Sequence, residues 1–86
     1  MKIYVVHFED EFKCEGREEI GFFRKEEDAR ALALHRVKEV EDEAKRFNEY
    51  DRTKRIDDRM WMIDFKDDEG EIDEEILVWI TEHEVL

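Results

Sequence analysis

The stretch that decides the fold is Lys25–Tyr50, KEEDARALALHRVKEVEDEAKRFNEY, in the middle of an 86-residue chain. An apolar stripe recurs along it at three- and four-residue spacing, which is the period of one helix face. The stripe consists of Ala29, Ala33, Val37, Val40, Ala44 and Phe47. Acids fill its first turn, where the helix dipole favours negative charge. The pattern therefore predicts one long helix that projects past its sheet or breaks near Asn48.

Segments typical of β-strands flank this helix on both sides. They are rich in β-branched and aromatic residues, and they cover residues 3–8, 18–23, 60–65 and 76–81. Residues 51–58 are polar and are predicted to be a connection, and residues 66–75 a hairpin loop. The order ββαββ indicates an α+β fold in a single domain, residues 1–86. Its mainly antiparallel sheet would have about four strands, with the helix on one face.

Three of these strands are apolar on both faces, although one helix can cover only one face of a sheet. A second apolar face either packs against a partner or another copy, or is covered by loops and by the overhanging helix. We expect Trp61 and Trp79 to be the apolar anchors at such an interface.

The negative charge of the chain is concentrated near its end. The formal net charge is -12, and residues 60–86 contain ten acids but one base. Eight of these acids fall in twelve residues: Asp64, Asp67, Asp68, Glu69, Glu71, Asp73, Glu74 and Glu75. Such a field repels nucleic acid and anionic membranes and attracts basic protein surfaces. The alternative is that these acids only keep the protein soluble.

The residues provide little support for catalysis or for a cofactor. The chain has no serine, no glycine-rich phosphate loop and one cysteine, Cys14, whose acidic setting raises a thiol pKa. The three histidines lack metal-ligand spacing. Aligning Gly70 with the glycine of an EF-hand loop puts Phe65 where an aspartate is required. We therefore predict that the protein is not an enzyme and has no cofactor or metal site. Stoichiometric metal after purification would favour the opposite interpretation.

Other features concern the location of the protein. A single cysteine excludes an internal disulfide and suits a reducing cytoplasm. The N-terminus lacks a signal-peptide pattern, and no apolar run is long enough to span a bilayer.

A small basic segment, Arg52–Arg59, is interleaved with acids, so we interpret it as a solvated loop rather than as a nucleic-acid site.

The opening strand Lys2–Val6, the strand-to-helix run Gly21–Ala29 and the closing Ile80–Leu86 together resemble small acidic proteins of bacteriophages and mobile elements. Some proteins of that group are anti-CRISPR or other anti-defence inhibitors, and several act as DNA mimics. The group is not one homologous family, so the resemblance assigns no functional residue.

Two functions follow as expectations. The first is a non-enzymatic, phage-encoded inhibitor in the cytoplasm of a bacterial host cell. Its acidic hairpin would block the nucleic-acid-binding site of a CRISPR effector or another defence nuclease, because spaced carboxylates can imitate a row of phosphates. The second is a homodimeric structural or regulatory module, antitoxin-like or accessory, that associates through the apolar sheet face.

Overall fold

The computed structural model describes residues 1–10 and 17–85, and it confirms an α+β architecture with an antiparallel sheet. The elements are β1 (Lys2–Asp10), β2 (Arg17–Phe23), α1 (Glu26–Arg46), β3 (Tyr50–Asp57), β4 (Met60–Lys66) and β5 (Ile72–Glu84). The sheet has five strands in the order β2-β1-β5-β4-β3. Cys14 and Leu86 lie outside the described residues.

The fifth strand, β3, is the main departure from the sequence prediction, which treated residues 51–58 as a connection. Among the described strands, β3 lies at the edge of the sheet and pairs with β4 alone. Charged side chains are common on edge strands, because they discourage pairing with other chains. The polar composition of β3 is thus compatible with a strand at this position. β3 has a smaller share than the other strands of the β-branched and aromatic residues by which those strands were predicted.

The helix begins at Glu26 and ends at Arg46, four residues before the predicted end at Tyr50. Asn48 takes a left-handed conformation with φ 58°, which asparagine tolerates better than most residues. The backbone N–H of Glu49 donates to the carbonyl of Ala44 at 2.8 Å and closes the helix end. The prediction that the helix would break near Asn48 is therefore confirmed.

The core lies between α1 and one face of the sheet. The helix contributes the predicted stripe from Ala29 to Ala44, in which every member is buried, whereas Phe47, predicted as the last member of the stripe, follows the helix end and is 61% exposed. Val6, Ile63 and Val78 of the three central strands are fully buried against it. Alanines on the helix allow its backbone to approach the sheet closely. Burial of such side chains supplies the main driving force for folding.

Trp61 belongs to this core, so its prediction as an exposed anchor is wrong. Its side chain is 6% exposed and packs in the cluster beneath α1. Met60 and Met62, its neighbours on β4, alternate to the opposite face. Trp79 pairs with Met60 across the sheet and lies on that opposite face. Only Trp79 of the two tryptophans can therefore contribute to an interface there.

Candidate acidic interaction surface

The acidic segment is built around a tight turn between β4 and β5. Asp67 holds the turn together, because its Oδ1 accepts hydrogen bonds from the backbone N–H groups of Glu69 and Glu71 at 2.9 and 3.0 Å. The backbone N–H of Gly70 donates to the carbonyl of Asp67 at 3.1 Å. Gly70 has φ +84°, a conformation that side chains with a Cβ rarely adopt. This local bonding makes the turn a defined shape.

Four carboxylates project from this turn and from the start of β5. Asp68, Glu69, Glu71 and Asp73 are all exposed. Among the described residues, none of these four makes an ion pair with a basic side chain. We call this group the acidic tip. Its charges are available to a partner without the loss of an existing pair.

Asp64 does not belong to the acidic tip, which corrects the prediction that it forms part of the exposed row. Its side chain is 2% exposed, and its Oδ2 accepts a hydrogen bond from Arg52 Nε at 3.0 Å. Lys54 Nζ lies 4.0 Å from the same oxygen. Asp64 pairs with Arg52 across the β3–β4 ladder. Its carboxylate therefore connects the edge strand to the sheet and is not accessible to a partner.

The last two acids of the segment point to opposite sides of β5. Glu74 pairs with Phe65, whose side chain lies in the core beneath the helix, whereas Glu75 pairs with Asp64 on the other face. Both are half-buried. The eight predicted residues therefore do not form one continuous row.

Glu74 instead borders a cleft of about 640 Å³ between the end of the sheet and the second half of α1. Seven acids and two arginines line this acidic cleft, together with aromatic and aliphatic side chains. The charged lining residues are Asp10, Glu18, Glu39, Asp42, Glu43, Glu49, Glu74, Arg36 and Arg46.

Of these seven acids, Glu74 was the one predicted to bind a partner. Three of them, Glu39, Asp42 and Glu43, recur at three- and four-residue spacing on α1 and thus share one helix face. That spacing was the available signal for a shared surface. Glu74 reaches the same cleft from a distant part of the chain, and no local pattern connects it to this helix face.

The opposite end of the sheet carries acids of a different kind. Glu26 Oε1 accepts hydrogen bonds from Arg59 Nε at 3.0 Å and from Arg30 at 3.2 Å, and Arg59 also contacts Glu82. The hydrogen bond from Arg59 lowers the pKa of Glu26 below its ordinary value, and the pairing raises the pKa of Arg59. Carboxylates here are neutralised by neighbours, in contrast to those of the acidic tip.

The described residues offer no arrangement that indicates a particular chemical reaction. Within residues 1–10 and 17–85, no three His, Cys, Asp or Glu side chains are grouped so as to hold a metal ion. In the same ranges, no helix is both long enough and apolar enough to cross a membrane. The prominent features are therefore surfaces: the acidic tip, the acidic cleft and the sheet face opposite α1. Comparison with protein-family models, with curated proteins and with solved structures found no match to this chain.

Proposed function

We propose that this protein is a non-enzymatic inhibitor that binds the basic, nucleic-acid-binding surface of another protein. The acidic tip and the acidic cleft would occupy the place of a nucleic-acid backbone. CRISPR effectors and other defence nucleases are the class of target that the sequence resemblance indicates. The observation that carries the proposal is the acidic tip itself: four exposed carboxylates on a hydrogen-bonded turn, without basic partners among the described residues.

The physical basis is the pairing of carboxylates with arginine and lysine. Arginines that hold phosphates present planar donors, and carboxylates accept these donors in the same bidentate manner. Carboxylates on a defined turn pay less ordering entropy on binding than carboxylates on a disordered tail. Asp67 is important in this respect, because its hydrogen bonds shape the turn on which Asp68, Glu69 and Glu71 stand.

The acidic cleft would extend the contact area beyond the turn. Glu74 connects the two features, since it stands on β5 just after Asp73 and also lines the cleft. Arg36 stands in the cleft with its guanidinium 4.5 Å from the centre of the Phe8 ring. A basic side chain of the partner would meet mainly carboxylates there. The same charge balance disfavours direct binding of nucleic acid.

The proposal is tested by capture from bacterial lysate with the tagged full-length chain, at about 0.1 M and about 1 M salt. The range of electrostatic attraction falls from about 10 Å to about 3 Å between these conditions. A tip variant combines Asp68→Asn, Glu69→Gln, Glu71→Gln and Asp73→Asn. It spares Asp67 and Asp64, which shape the turn and anchor β3, so a loss of binding would not arise from misfolding.

A matched control removes the same number of charges from the opposite end of the sheet. It combines Glu27→Gln, Asp28→Asn, Glu82→Gln and Glu84→Gln, all at exposed or partly exposed positions. We expect the native chain and this control to capture a nucleic-acid-binding protein at low salt only, and the tip variant to capture it at least about tenfold less well. Equal capture by all three proteins would contradict the proposal.

A further inference from the structure

The face of the sheet opposite α1 has an apolar centre with no described helix or strand over it. We call it the open face. Its centre is formed by the strands β1, β5 and β4, whose side chains on this side follow from the register of the sheet. The central apolar residues are Ile3, Val5, Met60, Met62, Leu77 and Trp79. Val5 is buried by its neighbours, and the other five are half-buried.

The open face carries little of the negative charge of the chain. The register places four bases and five acids on it: Arg17, Arg52, Lys54, Lys66, Glu9, Glu19, Asp57, Asp64 and Glu75. Their sum is -1, whereas the whole chain has a formal charge of -12. An apolar centre with charges of both signs around it is typical of a protein–protein interface. It does not complement the basic surface that the acidic tip would bind.

The polar groups within this face are already held in place. The His7 ring stacks on Trp79 with ring centroids 5.1 Å apart, and His7 Nε2 lies 2.7 Å from Thr81 Oγ1. The Arg17 guanidinium lies over the indole of Trp79 at 5.2 Å. Burial lowers the pKa of His7 despite the opposing effect of Glu19, so the ring is neutral near pH 7. The stacked His7 and Trp79 rings give the centre of the face a fixed shape.

The edge strand β2 contributes one charge of each sign to the open face. Arg17 and Glu19 stand two residues apart, so both side chains lie on the open face. Arg17 lies beside Glu9 and Leu77 of the neighbouring strands, and Glu19 lies beside His7 and Trp79. These two lines of side chains are adjacent rows that run across the strands. A two-fold axis that crosses the strands between these rows places the backbone position of Arg17 in one copy opposite that of Glu19 in the other copy, twice, and the Arg17 side chain, which lies over Trp79 in the single chain, would turn from the indole toward that carboxylate. The axis also places Trp79 opposite Leu77 of the second copy.

We propose that the open face binds a second copy of this chain, giving a two-fold dimer whose two sheets pack face to face. Paired sheets stack about 10 Å apart, which allows the two apolar centres to interdigitate. The dimer would direct both acidic tips outward, because the tip residues are exposed at the sheet end. This inference does not depend on the proposed inhibitory function, since it concerns a different surface.

Sedimentation velocity of the full-length chain over a range of concentrations tests the dimer. We expect a dimer that persists at about 1 M salt, because apolar burial is not screened as ion pairs are. Trp79→Glu should give a monomer, and circular dichroism with thermal melting establishes that this variant is folded. A native chain that stays monomeric up to about 0.5 mM would overturn the proposal, because useful dimers have dissociation constants well below that.

A charge-swap cycle at the exposed edge tests the orientation without disturbing the core. Arg17→Glu or Glu19→Arg alone turns two cross-copy attractions into repulsions, so each should raise the dimer dissociation constant about tenfold. The double variant restores opposite charges and should return the constant to within about threefold of the native value. Additive losses in the double variant would overturn the proposed dimer. A second result would also overturn it: a native chain that is monomeric and whose Trp79→Glu variant no longer captures the nucleic-acid-binding partner. The open face would then be the surface that binds that partner.

Discussion

Arg52→Ala should destabilise the protein more than its exposed position suggests. The Arg52 side chain is 57% exposed, yet it makes the 3.0 Å hydrogen bond to a carboxylate that is almost fully buried. Its removal leaves Asp64 with Lys54 at 4.0 Å as the nearest cation. Asp64 Oδ1 is also buried and makes no hydrogen bond to the described residues. The variant therefore leaves a buried charge on β4 with poor compensation, and it removes the contact that anchors the edge strand β3.

The expected cost follows from this geometry. Breaking a buried ion pair by the loss of one partner costs about 3–5 kcal/mol. Lys54 can move toward Asp64, and water can reach an edge strand, so we expect about 2–3 kcal/mol for Arg52→Ala. A domain of this size shifts its melting temperature by about 4–8 °C per kcal/mol. The melting temperature should thus fall by about 10–20 °C, which calorimetry measures directly.

The companion variant tests the reasoning behind this number. Asp64→Asn keeps the shape of the side chain but removes its charge, so the Arg52→Ala, Asp64→Asn double variant no longer buries an uncompensated carboxylate. We expect the double variant to recover at least about 1 kcal/mol of the loss in urea unfolding. Strictly additive losses, or an Arg52→Ala variant as stable as the native chain, would refute the argument.

Other predictions concern single positions. Gly21→Val should cost about 1–3 kcal/mol in urea unfolding, because an added Cβ would lie 2.6 Å from a leucine side chain of α1. Gly70→Ala should cost about 1 kcal/mol in the same assay for a different reason, the φ of +84° in an open turn. Glu26 has a lowered pKa, so its stabilisation is full above the ordinary value of 4.5 and is lost as the pH falls through the folded pKa; Glu26→Gln should flatten this acid-side loss in melting curves. His7 also has a lowered pKa. Because histidine is a base, its neutral form is the one that stabilises the folded protein. Stability should fall as the pH drops below the ordinary value of 6.5, and this dependence should shrink in His7→Gln.

The sequence predicted the elements that bury apolar side chains. The helix stripe from Ala29 to Ala44 and the apolar runs in β1, β4 and β5 all have the periodicity that packing requires, and the structure confirms them. β3 was not predicted because its pairing with β4, rather than its own composition, makes it a strand. Its pairing with β4 and the Arg52–Asp64 ion pair are contacts between segments that local patterns do not connect.

The candidate site, like the fold, could be predicted from the sequence only in part. The density of acids in residues 64–75 was evident from the sequence, but the direction of each side chain depended on the register. A shift of one residue in the register exchanges the two faces that Glu74 and Glu75 occupy, and the burial of Asp64 depends on its pairing with Arg52 of β3. The acidic cleft draws its lining from several elements, so its assembly depends on the tertiary fold.

The most direct test of the proposed function is a competition measurement on the captured partner. The complex of the partner with this protein is titrated with a nucleic acid that the partner binds, and the fraction of this protein that remains bound is measured. The account predicts competitive displacement, with an apparent affinity that falls as the nucleic-acid concentration rises, because both ligands use the same basic surface. A stable ternary complex, in which nucleic acid and this protein bind together without loss of affinity, would contradict it.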